Sequence, residues 1–345
     1  MMLQLLAQAD QTFWMPEQAS SYAHKVDGLF YYIFYISVFF FVLIGSLMFF
    51  FAWKFRQRDK SHAPTGPTHS TTLEITWTII PTVIVISIFV WGFVGYLDMA
   101  SPPDNAYEIT VESQRWGWRF VYPNGAKSNV LHVPDGKPVR LVLRSSDVIH
   151  SFYCPEFRIK KDAVPGRYNK TWFQPVLSEA KRREIEGTSV ELTDPKDPKI
   201  NWGTFENAAI FDVFCTEYCG QQHALMRSYV VVSPPERFAA WVAEQADVLG
   251  NNPPAEAGKL IYAQQGCNAC HSVDGTSGTG PTFKDLFGKR ENFKDGSSAI
   301  ADENYIYESI RIPGAKIVMG YDNVMPAYSK DQLSDREMDA LIAYM

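Results

Sequence analysis

The run Cys215-Thr216-Glu217-Tyr218-Cys219-Gly220-Gln221-Gln222-His223-Ala224-Leu225-Met226 sets two thiols, one imidazole and one thioether within twelve residues. Soft sulfur with imidazole favours copper over magnesium or calcium, and it also suits zinc. Zinc prefers four tight Cys or His ligands, so a methionine fits it poorly. A single-copper electron-transfer site needs one cysteine. A second cysteine lets each thiolate touch both metals of a pair. A further imidazole has to come from elsewhere in the chain, and His150 is the candidate.

A second constellation is Cys267-Asn268-Ala269-Cys270-His271. This C-x-x-C-H spacing suits two thioether bonds to haem vinyl groups, with His271 as the proximal iron ligand. A redox or zinc C-x-x-C is the other reading. No second cysteine pair stands by for zinc, and the adjacent histidine is what haem needs. The fifth cysteine, Cys154, reads as a small buried apolar residue.

These residues need elements to hold them. Residues Leu29–Trp53 and about Ile75–Leu97 are charge-free apolar runs. The first would span roughly 37 Å as a helix, more than the ~30 Å hydrocarbon core of a bilayer. Pro81 is tolerable in such a helix. Lys54, Arg56, Arg58 and Lys60 lie between the runs against one acid, Asp59. Lys25 before the first run is outnumbered by Asp10, Glu17 and Asp27, and Asp98, Asp104 and Glu108 follow the second. The positive-inside rule puts the connecting loop in the cytoplasm and both termini outside. Met1–Ala9 is too short for a complete secretory signal, so a longer precursor is one expectation. Residues 1–106 are thus expected to form an N-terminal segment and a transmembrane hairpin.

From Tyr107 to about Ser233 short β-rich runs alternate with turn chemistry, at Pro123-Asn124-Gly125, Pro134-Asp135-Gly136 and Pro165-Gly166. That pattern predicts a small antiparallel sandwich or barrel over 107–233. Glu179–Lys199 reads as a charged surface excursion. Glu236–Leu249 has helical spacing, and Gly250-Asn251-Asn252-Pro253-Pro254 reads as a hinge, so 234–254 is a connecting helix and linker. Residues 255–345 read as an all-α domain whose first helix, Ala255–Gly266, leads into the haem motif. Its last pattern, Asp335–Met345, ends abruptly, as a clipped helix would.

Three segments carry a resemblance. Ser146-Asp147-Val148-Ile149-His150-Ser151-Phe152, Asp162-Ala163-Val164-Pro165-Gly166-Arg167 and the Cys215–Met226 loop resemble the cupredoxin-like domain of haem–copper oxidase subunit II, over roughly residues 25–233. The resemblance implies a binuclear copper A centre held by His150, Cys215, Cys219, His223, Met226 and the backbone carbonyl of Glu217. It also implies that the Glu217 side chain reaches a magnesium ion shared with subunit I. Residues 255–345 resemble a class I cytochrome c with covalent haem c. Val324-Met325-Pro326-Ala327-Tyr328 is similar to the Met-Pro loop of that class, which makes Met325 the expected sixth ligand over Met319. Gly280-Pro281 resembles the element whose carbonyl holds the proximal imidazole proton. Arg115-Trp116-Gly117-Trp118 resembles the family's aromatic strip, with Trp116 as an electron entry. The family's usual His-Gln before that tryptophan is Gln114-Arg115 here. Glu74 matches a residue near a proton path in subunit I.

The implied function is electron transfer in a proton-translocating terminal oxidase. The electrons come from a cytochrome c or a bound quinol-oxidising complex, and dioxygen is reduced on another subunit. The implied partners are subunit I, the other oxidase subunits and the lipid bilayer. The implied place is a bacterial inner membrane with the copper and haem domains outside. Lys plus Arg is 32 and Asp plus Glu is 38, so the net charge of −6 speaks against nucleic acid. Concentrated acid in the soluble part suits a basic electron carrier. A quinol-oxidase subunit that keeps the fold and loses the metal ligands is disfavoured by the intact donors. A nitrous oxide reductase would need a catalytic propeller for which no residues remain.

Overall fold

A computed structural model of the chain describes residues 13–56, 66, 69–195, 198 and 201–345. Arg58, Asp59 and Lys60 of the basic loop, Asp10, Met1–Ala9 and Lys199 lie outside the described residues. The chain divides into two compact units, one up to Ser101 and one from Pro102 onward.

The first unit holds two helices, α1 (Ala23–Lys54) and α2 (Thr71–Ala100). Both begin and end beyond their apolar runs, because polar flanking residues continue the helix. Both are long and apolar enough to cross a membrane. Apolar side chains such as Phe41 and Phe49 point outward. A lipid solvent tolerates such a surface, and a helix satisfies its own backbone there. Polar contacts help pin the pair: Tyr32 Oη lies 2.8 Å from Ser87 Oγ, and Lys25 pairs with Asp98 at 2.6 Å.

The second unit opens with an all-β domain. Its strands are β1 (Tyr107–Gln114), β2 (Gly117–Val121), β3 (Lys127–Ser128), β4 (Leu131–Pro134), β5 (Val139–Ser145), β6 (His150–Cys154), β7 (Ile159–Ala163) and β8 (Asn169–Phe173). A short helix α3 (Glu179–Ile185) and the hairpin β9 (Ser189–Thr193) with β10 (Asn201–Glu206) form the excursion. The domain closes with β11 (Ala209–Cys215) and β12 (Arg227–Ser233). Two five-stranded sheets result, in orders β3-β2-β1-β5-β8 and β4-β12-β11-β6-β7. They form a cupredoxin-like sandwich, not a closed barrel.

Alternation along the strands explains the core. In β1, Ile109, Val111 and Ser113 are buried while their neighbours are more open. The sheets meet through aromatic edges: Trp118 and Phe120 of β2 stand 5.7 and 6.3 Å from Phe152 of β6. Phe157 caps one end between Phe173 and Phe211.

The connection differs from the expected single helix over Glu236–Leu249. It breaks into α4 (Pro235–Gln245) and a single turn, α5 (Val248–Asn251). Asp247 causes the break, since its carboxylate caps Gly250 N–H at 2.8 Å and restarts the helix. The expected hinge is therefore partly helical. Trp241 of α4 stacks edge-on against Tyr122 and His132, so this helix belongs to the β domain's surface.

The last domain contains α6 (Pro254–Gln264), the hairpin β13 (Arg290–Asn292) and β14 (Ser298–Ile300), α7 (Glu303–Arg311) and α8 (Asp335–Tyr344). The small hairpin was not foreseen in an all-α reading. Ile261, Tyr262, Phe293, Ile306, Met338 and Leu341 make its core. A reciprocal capping box between Ser334 and Glu337 starts α8.

His132 of β4 is buried, with its Nε2 2.7 Å from Ser233 Oγ. Burial pushes this imidazole's pKa down to about 3. The native state holds it neutral while the unfolded chain protonates it near its usual value. Its contribution is thus complete above about pH 6.5 and falls by ~1.4 kcal/mol per pH unit as pH drops toward 3. Denaturant unfolding of the solubilised protein near pH 7.5 and near pH 5.5 should show this loss, and His132→Gln should flatten it. Equal pH dependence in both proteins would contradict the assignment.

Candidate metal centre and haem pocket

Strand pairing places the first cluster. Cys215 ends β11 opposite Phe152 of β6, and His150 starts β6. The loop from Cys215 to Met226 closes on itself through Cys215 N–H to the Met226 carbonyl at 3.2 Å. A single turn at His223–Leu225 folds it back. The consequence is a tight knot of soft donors. Cys215 Sγ lies 3.9 Å from His150 Nδ1 and 3.9 Å from Cys219 Sγ. Cys219 Sγ lies 3.5 Å from His223 Nδ1 and 3.8 Å from Met226 Sδ. The Glu217 carbonyl is 3.3 Å from Cys215 Sγ. His150, Cys215, Cys219 and Met226 are all buried.

This packing is unfavourable for thiols alone. Burial, and then the neighbouring Cys215, push the Cys219 thiol up to about 12. Burial also raises Cys215, but the hydrogen bonds and charge of His150 together with the backbone contacts of Ser151 and Glu217 outweigh it, and the net shift is downward. Two thiolates this close in a dry site repel each other. A bound cation reverses that, since coordinating thiols are deprotonated outright. The donor set therefore fits a soft metal.

Asp147 was missed as a functional residue. Its Oδ1 stands 2.9 Å from His150 Nε2, and its Oδ2 accepts from Arg115 N–H at 2.8 Å. A carboxylate on the far ring nitrogen fixes the tautomer and leaves Nδ1 facing the cysteines. Its position three residues before His150 was the available signal. Cys154, by contrast, is fully buried away from this cluster, and burial pushes its thiol well up.

The second cluster sits in the last domain. Cys267, Cys270, His271 and Met325 line one apolar pocket with Phe283, Tyr305 and Ile306. The C-x-x-C stretch forms its own turn, Cys267–Ala269, beyond the end of α6. Met319 is 62% exposed and does not line this pocket. His271 Nδ1 is 2.7 Å from the Pro281 carbonyl, which fixes the ring and leaves Nε2 free. A side chain at Gly280 would sit 2.5 Å from His271 Cε1, so only glycine admits this approach. Phe283 stacks on the same imidazole at 4.6 Å. Burial, and then the neighbouring Cys270, push the Cys267 thiol up to about 12. Two cysteines, an oriented imidazole and a thioether around an apolar cleft fit covalent haem.

Trp116 is 6% exposed. It lies against the copper loop, where a Cβ at Gly220 would come within 3.3 Å of its ring. Glu74 occupies the first turn of α2.

Comparison with known proteins is consistent along the chain. Residues 8–94 match the cytochrome c oxidase subunit II transmembrane domain family. Residues 109–180 match the periplasmic domain family of that subunit, and residues 255–345 match the cytochrome c family. The cytochrome c oxidase subunit 2 of Alkalihalophilus pseudofirmus is 29% identical over 88% of this chain and 81% of its own length. That of Synechocystis sp. is 27% identical over 67% of this chain and 76% of its own. The alternative cytochrome c oxidase subunit 2 of Bradyrhizobium diazoefficiens is 26% identical over 69% and 86% respectively. Two segments of the chain thus match the transmembrane and periplasmic domain families of cytochrome c oxidase subunit II, and the segment behind them matches the cytochrome c family.

Proposed function

We propose that this chain relays single electrons from a cytochrome c or a bound quinol-oxidising complex, first through its C-terminal domain and then through its β domain, to oxidase subunit I. Subunit I reduces dioxygen and pumps protons in this reading. The chain sits in a bacterial inner membrane, with both redox domains on the outer face. The observation that carries the proposal is the convergence of six soft or carbonyl donors, from β6, the end of β11 and the loop after it, each within 3.9 Å of at least one other.

A copper pair and a covalent haem c, when bound, supply one-electron chemistry with little rearrangement of their surroundings. His150, Cys215, the Glu217 carbonyl, Cys219, His223 and Met226 would hold the coppers. Cys267 and Cys270 would hold the haem by thioether bonds, and His271 and Met325 would ligate its iron. A Met/His pair raises the reduction potential, which suits delivery toward copper. Asp147 and the Pro281 carbonyl orient the two buried imidazoles. Burial keeps water from the sulfur donors. The Glu217 side chain remains available for a magnesium ion at the subunit I boundary. Trp116 lies between the pocket-lining pair Gln114–Arg115 and the copper loop, which suits a role in electron entry. Glu74, in the first turn of α2, suits the cytoplasmic mouth of a proton path.

A redox-difference spectrum of the purified protein tests the relay. It should show c-type haem and near-infrared copper bands together, with both reduced by cytochrome c. Loss of either band would refute it. Met226→Leu should preserve stability within ~1.5 kcal/mol while shifting the copper potential. An unchanged potential and an unchanged transfer rate would count against Met226 as a ligand. Glu74→Ala should slow oxidase turnover and proton uptake, and wild-type values for both would remove the proton role.

A further inference from the structure

The copper and haem domains touch through polar side chains, none of which is a candidate ligand of either redox site. Arg119 of β2 is the buried charge among them, at 6% exposed. Its Nε donates to Glu112 Oε2 at 2.6 Å, and its Nη1 donates to Gln265 Oε1 of the haem domain. Arg144 pairs with the other oxygen of Glu112. Burial raises the Glu112 carboxyl, but the two arginines hold it below the usual carboxylate range, so it stays ionised.

Gln265 is 2% exposed and spends its other side-chain group on the Gln332 carbonyl at 2.9 Å. Its own carbonyl accepts from Gln114 Nε2 at 3.1 Å and from Tyr328 Oη at 2.9 Å. Gln114 is thus held on the haem domain while it lines the haem pocket beside Cys267. Nearer the rim, Lys127 pairs with Glu337 at 2.8 Å. Gln222, next to His223, donates to Thr279 Oγ1 at 3.0 Å.

Polar contacts of this kind are weak between free molecules. Here α4 is fixed on the β domain and only a short segment separates it from α6. The tether makes docking intramolecular, so modest contacts suffice. A buried guanidinium with a complete set of partners then adds directional specificity, because a mismatched pose would leave it unpaired.

We propose that Arg119 is the positioning residue of a fixed intrachain interface, which clamps the haem domain over the Gln114–Trp116 edge of the copper domain and closes that edge to outside electron carriers. Electrons then reach the copper domain through this chain's own C-terminal domain, and an outside carrier docks on that domain. The electron-path part rests on the proposed function, whereas the clamp itself does not.

The test uses the full-length loaded protein in detergent. Arg119→Gln should make residues 246–254 more susceptible to limited proteolysis by ~10-fold or more, as expected from loss of a buried charged hydrogen bond. It should also slow haem-to-copper electron equilibration after flash reduction by a similar factor, with both absorption spectra retained. Arg119→Lys should recover part of both effects. Gln265→Leu, made on the haem side, should reproduce them and decides the matter if Arg119→Gln disrupts the sandwich. Wild-type cutting and wild-type transfer in Gln265→Leu would overturn the proposal. So would slowed transfer with unchanged cutting, since the residues would then act on the redox sites and not on docking. Cutting requires no redox chemistry, so the clamp can fail while the relay stands. Missing haem or copper bands would sink the relay and leave the cutting result intact.

Discussion

Two cysteine side chains forced together in a dry pocket set the terms for the rest of the molecule. Cys215 and Cys219 sit 3.9 Å apart with an imidazole on each side and a thioether beneath. Neither burial nor mutual repulsion favours two thiolates there. A soft cation makes the arrangement stable, and only a rigid frame makes it specific. The β11–β12 pairing supplies that frame by closing the loop, and β6 brings in His150 from the neighbouring strand. The aromatic wedge of Trp118, Phe120 and Phe152 holds the two sheets apart at the required spacing beneath it.

The haem domain uses the same logic with different parts. Its histidine is fixed from behind by a backbone carbonyl, and a glycine clears the space that makes this possible. The two sites thus share one device: one nitrogen of a buried imidazole is occupied by the protein, and the other is left for the site, toward the cysteines in His150 and uncommitted in His271. Placing both in one compact unit makes the distance between them a property of the chain. Long apolar helices in the other unit suit anchorage of that unit in a bilayer.

Much of this was readable from residue types. Most of the sulfur and imidazole donors announced themselves through spacing within single loops, whereas His150 and Met325 came from the family resemblance, and the structure brings His150 to the first loop and Met325 to the pocket of the second. Helix α1 and helix α2 were legible because charge-free runs of that length have few other uses. Met325 was separable from Met319 by the proline that follows it. What stayed hidden depends on contacts far apart in sequence. Arg119 alternates correctly with Trp118 and Phe120 for an outward-facing residue, yet it is buried because another domain covers that face. Gln265 and Gln332 carry no motif at all. The break between α4 and α5 was missed because the apolar spacing runs through it, and the Asp247 cap outweighs that spacing. Part of the sequence reading, including Arg58 and Lys60, falls outside the described residues.

The most direct measurement is electron paramagnetic resonance on metal-replete protein in its oxidised form. A single unpaired electron shared equally by two copper nuclei gives a hyperfine pattern that one copper cannot produce. The account predicts that shared pattern, lost on Cys219→Ser. A single-copper pattern from the intact protein, or a silent site filled by zinc, would contradict it.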